Sequence, residues 1–160
     1  MNLSVATIAN SPSLMRLLEE AIEEGCLKYQ FNVTEKKYAT RVFASLFLSP
    51  LKEGRLIIAI DGDAIIGFSA FAESEFCGTI FLDGIFIFVK KEYRMGGISK
   101  KLRFKAIEGK DMKGKIARYS VAIDNKEGSI SASNFAKGIS AKGMDVKLKP
   151  VGIIYEARIG

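Results

Sequence analysis

Apolar side chains recur at helical spacing from Leu14 through Leu17, Leu18 and Ala21 to Ile22, while Glu19, Glu20, Glu23 and Glu24 fall largely off that stripe. Ser11-Pro12 offers a capping side chain and a proline at the first helical position, and Gly25 offers the stop. A short strand is predicted before this helix, over residues 3–8. A second helix is predicted after it, capped by Thr34, with Tyr38, Val42, Leu46 and Phe43 inward and Ser49-Pro50 at its end. Beyond Pro50 the pattern becomes strand-like. Residues 55–60 and 64–72 read as two strands joined at Asp61-Gly62, a two-residue hairpin signal. Thr79–Val89 reads as a third, with Asp83-Gly84 inside it, and a glycine within a strand marks a bulge or a close backbone approach. Ile98, Leu102, Ala106 and Ile107 give the next helix one apolar face, with Lys100, Lys101, Arg103 and Lys105 on the others. Residues 116–123 are strand-like and 129–142 helical, with Ile130, Phe135 and Ile139 as its apolar side. Residues 145–149 and 151–159 close the chain as strands. The order β-α-α-β-β-β-α-β-α-β-β predicts an α+β fold, a mixed sheet flanked by helices, and not an alternating doubly wound one.

Composition narrows the class. The 160 residues are 48% hydrophobic and 26% charged, which fits one globular domain spanning 1–160 with a substantial core. The first eight residues lack a basic segment and a long apolar run, so no signal peptide is expected. No apolar stretch approaches the roughly 20 residues of a membrane span. Two distant cysteines, Cys26 and Cys77, suit a reducing, cytoplasmic compartment. With no histidine, no metal site is expected and a Ser-His-Asp or Cys-His mechanism is excluded. The net charge of +6 is concentrated, because residues 90–118 hold 11 Lys and Arg against 3 Asp and Glu. Such a patch attracts a polyanion to one place. Nucleic acid is the weaker reading of it, since only Tyr93, Phe104 and Tyr119 interleave with the basic residues and a solvated basic helix face accounts for the rest.

The patch begins at the most informative stretch, residues 86–102. A β-branched and aromatic strand ends at Val89, a charged connection follows, and Gly96-Gly97 turns the chain into a helix beginning at Ile98. Free N–H groups and a positive dipole end meet there, which makes an anion site. Gly96 and Gly97 remove two Cβ atoms from the approach, and Arg94 and Lys100 bring charge. The near-match to a phosphate loop at residues 109–116 is dismissed, because Ile116 stands where the Ser or Thr that binds magnesium belongs and because the segment runs from helix to strand.

Arg94-Met95-Gly96-Gly97-Ile98-Ser99, together with the element order, resembles the GNAT superfamily of N-acetyltransferases, whose acyl-CoA loop reads Gln/Arg-x-x-Gly-x-Gly/Ala. Arg94 fills the first position, Gly97 the fourth and Ser99 the sixth, where a small residue replaces Gly or Ala; Val89 and Leu102 also suit the pattern. The resemblance spans essentially the whole chain. It implies acetyl-CoA as co-substrate, held by Ile87, Phe88 and Val89 at the pantetheine arm and by Arg94, Met95, Gly96, Gly97, Ile98, Ser99 and Lys100 at the pyrophosphate. Asn125 is a further candidate in the same site. It also implies direct acetyl transfer to an amine acceptor, small molecule or protein, with a backbone N–H near Phe88 or Val89 as oxyanion donor. Family members are often dimers, which makes a homodimer one option.

The acid–base residues are less sharply drawn. Asp83, eleven residues before Arg94, is the first candidate for the base, with Glu73 and Glu75 next. Many family members place a tyrosine as general acid shortly before a Gly-Phe pair. Gly143-Met144 matches that ending here, but Ile139 stands at the tyrosine position, which leaves Ser140 as a weak substitute. The alternative to an active enzyme is therefore an acyl-CoA-binding or structural module that keeps the fold with little or no catalysis.

Overall fold

The computed structural model describes residues 1–107 and 116–119. Among them, strands β1 (Asn2–Val5), β2 (Leu56–Asp61), β3 (Ala64–Phe76), β4 (Thr79–Val89) and β5 (Ile116–Tyr119) form one sheet in that order. Each neighbouring pair from β1 to β4 is antiparallel, and β5 runs parallel to β4. With helices on the sheet, this is the α+β class the pattern predicts. No helix among the described residues is long and apolar enough to cross a membrane.

The long helix α1 (Ser11–Glu23) stops where the sequence indicates, with Gly25 in the left-handed conformation (φ 75°) just beyond it, but it starts one residue early, with Asn10 and not Ser11 in the cap position. The single turn α2 (Lys28–Phe31) follows. The second predicted helix is really a broken run: a 3₁₀ turn at Lys36–Tyr38, α3 (Ala39–Val42), a π-helical turn at Phe43–Phe47 and α4 (Leu48–Lys52). Pro50 lies inside α4 instead of ending the run. It is tolerated because it falls in the first turn after the π segment, where its missing N–H is not needed. The wider π turn also shifts the buried face by one residue, so that Phe47 is buried where periodicity places Leu46. Tyr38 is exposed and not inward, and the neighbouring Ala39 takes the buried position.

The sheet separates two apolar clusters. One face carries Leu56, Ile58, Phe68, Ala70, Phe86 and Phe88 against α1 and the broken run. The opposite face carries Ile57, Ala59, Ile66 and Val89 against Ile98 and Leu102 of α5 (Ile98–Ile107). Arg103, expected on an outer face of α5, is instead buried at 6% exposure. The β2–β3 turn falls at Gly62-Asp63, one residue later than expected, because Asp61 still pairs with Ala64. β3 continues four residues past Ala72, to Phe76. The predicted helix and strands beyond residue 119 lie outside the described residues, as do Asn125 and Ser140.

Candidate functional site at the end of β4

β4 positions the site, and a bulge sets which way its residues face. Ala70 pairs with Phe86 and Phe71 with Gly84, so Ile85 is an extra residue on β4. Gly84, the glycine flagged in the sequence, lies beside it. Successive strand residues point to opposite faces, and one inserted residue inverts that parity. Asp83 therefore shares a face with Phe86 and Phe88. Without the bulge it would share one with Ile87 and Val89.

At the far end, Val89 pairs with Gly67 and the Lys90 N–H donates to the Ile66 carbonyl at 2.9 Å, so the ladder holds to the last residue of the strand. Gly67 has no room for a side chain: a Cβ there would sit 2.9 Å from the Phe88 carbonyl oxygen and 3.1 Å from Val89 Cγ2. The connection is a 3₁₀ turn, Lys91–Gly96, with Tyr93 N–H donating to the Lys90 carbonyl at 2.9 Å. Gly97 then adopts φ 68°, a left-handed conformation that disfavours any residue with a Cβ. Helix α5 begins at once, and its first backbone bond runs from the Lys101 N–H to the Gly97 carbonyl. The N–H groups of Ile98, Ser99 and Lys100 thus precede the helical ladder at the positive end of the helix.

This cradle suits a phosphate. A Cβ on Gly97 would meet nothing within 4 Å, and one on Gly96 only Ile98 Cγ1 at 3.8 Å, so the protein leaves open the space beside both glycines. Met95 is 99% exposed and contributes no packing. Lys100 is exposed, with its ammonium 5.9 Å from the Phe104 ring centre. A cavity of about 190 Å³, bordered by Arg55, Leu82 and Lys105, lies at the other end of α5, away from this cradle.

Arg94, expected at the pyrophosphate, makes three contacts within the protein. Its Nε donates to the Val89 carbonyl at 2.8 Å, its guanidinium lies 5.5 Å from the centre of the Phe88 ring, and its terminal nitrogen pairs with the Glu24 carboxylate. Lys90 pairs with Glu20 at 3.1 Å. Two of the glutamates at the end of α1 are therefore bound to the loop, and a third, Glu23, pairs with Lys36 at 2.7 Å and raises its pKa. In the sequence these acids are marked only by falling largely off the apolar stripe of α1. Glu24 and Arg94 stand 70 residues apart, so no local pattern links them.

Asp83 is half-buried and accepts a 2.6 Å hydrogen bond from the Ser74 hydroxyl. Five residues separate it from Phe88, about 15 Å along an extended strand, too far for direct proton transfer to a centre at the Phe88 amide. Any acid–base role there runs through bound water. Glu73, pictured at a strand end, lies within β3 and pairs with Arg55, while Glu75 is exposed.

No protein-family model matches this sequence, and no curated protein matches it. Solved structures do match in three dimensions. A probable acetyltransferase superposes with a TM-score of 0.70 at 16% identity, over 100% of this chain and 99% of that one. A ribosomal-protein-alanine N-acetyltransferase from Brucella melitensis biovar Abortus 2308 gives 0.65 at 13% identity, over 99% of each chain. AAC(6')-Iy in complex with the bisubstrate analogue CoA-S-monomethyl-acetylneamine gives 0.63 at 16%, over 99% of this chain and 98% of that one. At these identities the likeness is one of architecture. The chain has the GNAT acyl-CoA N-acyltransferase fold.

Proposed function

We propose that this chain, as one domain spanning 1–160, is a cytoplasmic N-acetyltransferase that moves an acetyl group from acetyl-CoA to an amine by direct attack. One observation carries the reading. On a fold shared with acetyltransferases, the connection after β4 ends in a left-handed glycine and a helix start that leave N–H groups and empty space together at Gly96–Lys100. Those N–H groups bind the pyrophosphate, and Lys100 adds positive charge beside them. Ile87, Phe88 and Val89 align the pantetheine arm through their backbone, and an N–H near Phe88 or Val89 stabilises the oxyanion. Asp83 draws the proton from the ammonium through water. The hydrogen bond that it accepts from the Ser74 hydroxyl holds the carboxylate in place on the strand.

A second reading, an acyl-CoA-binding module without turnover, is supported by Ile139 at the position of the family's tyrosine. Calorimetry with acetyl-CoA, followed by thiol release against a panel of primary amines, separates the two. Micromolar binding with CoA release is the expected result. Binding without release on any amine would favour the module, and no heat at high protein concentration would remove both readings.

A further inference from the structure

The acids at the end of α1 break a local rule. A helix C-terminus is the negative end of the dipole, where carboxylates destabilise and cations are preferred. α1 nevertheless ends with Glu19, Glu20 and Glu23, then Glu24 at its cap, and has no basic residue in its last turn. Local conflicts of this kind concentrate where another part of the molecule compensates them or a function needs them. Here the compensation comes from the β4–α5 connection, since Lys90 pairs with Glu20 and Arg94 with Glu24.

Arg94 can serve the loop in two opposed ways. A guanidinium reaching outward would contact phosphate directly, and a carboxylate beside it would weaken that contact. A guanidinium turned inward would fix the loop, and the carboxylate would then strengthen binding by holding it in place. The geometry favours the second. Arg94 bonds the Val89 carbonyl through Nε, lies over Phe88, and points its terminal nitrogen at Glu24, so it spans the strand end and α1. A guanidinium presents such donors in a fixed planar fork, which transmits position as well as charge.

We propose that Glu24 is a positioning residue for the acyl-CoA loop, acting through Arg94, with the Glu20–Lys90 pair as a second tie. This rests on the reading of Gly96–Lys100 as a CoA site. It assigns the phosphate-facing positive charge to Lys100 and the backbone, and withdraws it from Arg94.

The test is calorimetry of coenzyme A with the full chain. Glu24→Gln keeps the shape and removes the charge, and its CoA affinity should fall about fivefold while the unfolding temperature of the free protein moves by no more than about 2 °C. If the chain turns over, KM for acetyl-CoA should rise by the same factor with kcat at saturation retained. Arg94→Gln should also weaken binding, and the double variant should be no weaker than Arg94→Gln alone, because the two residues act as one unit. Glu23→Gln, on the same helix but paired with Lys36, should change nothing. Tighter or unchanged binding by Glu24→Gln, or additive losses in the double variant, would overturn the assignment. Should Glu24→Gln fail to fold, Glu20→Gln tests the second tie by the same readout, with a smaller loss expected and no loss fatal. A parent protein that binds no CoA removes the loop reading and this inference together. Parent binding with an indifferent Glu24→Gln removes this inference alone.

Discussion

The two ends of β4 are built on different principles. At its C-terminal end, from Val89 to Ile98, the features that matter are backbone features: a strand paired to its last residue, a left-handed glycine and the opening N–H groups of a helix. At its N-terminal end, around Asp83, what matters is one carboxylate, turned to its face by the Ile85 bulge and bonded to Ser74. Backbone geometry survives extensive sequence change provided the glycines and the fold remain, which agrees with architectures that superpose at 13–16% identity. A side-chain function has no such protection. The proposed binding end thus rests on backbone geometry, and the proposed catalytic end on a single side chain.

The largest effect is expected where the backbone is proposed to bind the pyrophosphate. Gly97→Val places a β-branched residue at φ 68° and fills the open space beside the phosphate cradle. If two charge-assisted hydrogen bonds are lost, at about 1.5–3 kcal/mol each, acetyl-CoA affinity falls by roughly 10²–10⁴-fold. Calorimetry reads this directly. An affinity within tenfold of the parent would break the view of this end as a glycine-dependent anion site.

Asp83→Asn probes the other end. Asparagine keeps an oxygen that can accept from Ser74, so the variant removes charge and basicity while retaining that bond. The expected result is a fall in kcat of about 10²-fold, with KM for acetyl-CoA unchanged within about twofold. That division would sharpen the comparison into one strand with separable binding and catalytic halves. Full activity in Asp83→Asn would instead return Asp83 to a structural role beside the bulge.

The unequal legibility of the chain has the same origin. The bounds of β4, the start of α5 and the loop between them follow from residue types that permit few conformations, above all Gly97 after a β-branched strand. The 36–52 run was harder to read because a π turn adds one residue to the helical period, which is how Phe47 takes the fully buried position while Leu46 packs half-buried at the edge of the core. The roles of Glu20, Glu24 and Arg94 were not legible. Their ion pairs join segments that meet only after the chain has folded, and a charge on a helix reads as solvated until its partner is located.

The close approach at Gly67 is likewise a product of the folded sheet, and it yields the smallest and most diagnostic prediction. In an ordinary strand interior, replacing glycine with alanine stabilises by roughly 0.5–1 kcal/mol, because glycine loses the most freedom on folding. Gly67 is not in an ordinary position. The added Cβ would lie 2.9 Å from the Phe88 carbonyl oxygen, and that atom belongs to the backbone of the paired strand and cannot swing away. Relief requires β3 and β4 to separate at the point where Val89 delivers the chain into the loop, with Val89 Cγ2 crowded at 3.1 Å. Overpacking of this kind costs about 1–3 kcal/mol, which outweighs the entropic gain. Gly67→Ala should therefore lower the thermal midpoint by several degrees. It should also weaken acetyl-CoA binding by shifting Phe88 and Val89, with no direct contact to ligand. A raised midpoint would show that the strand end yields easily, and the binding half of β4 would then owe its shape to the loop glycines alone.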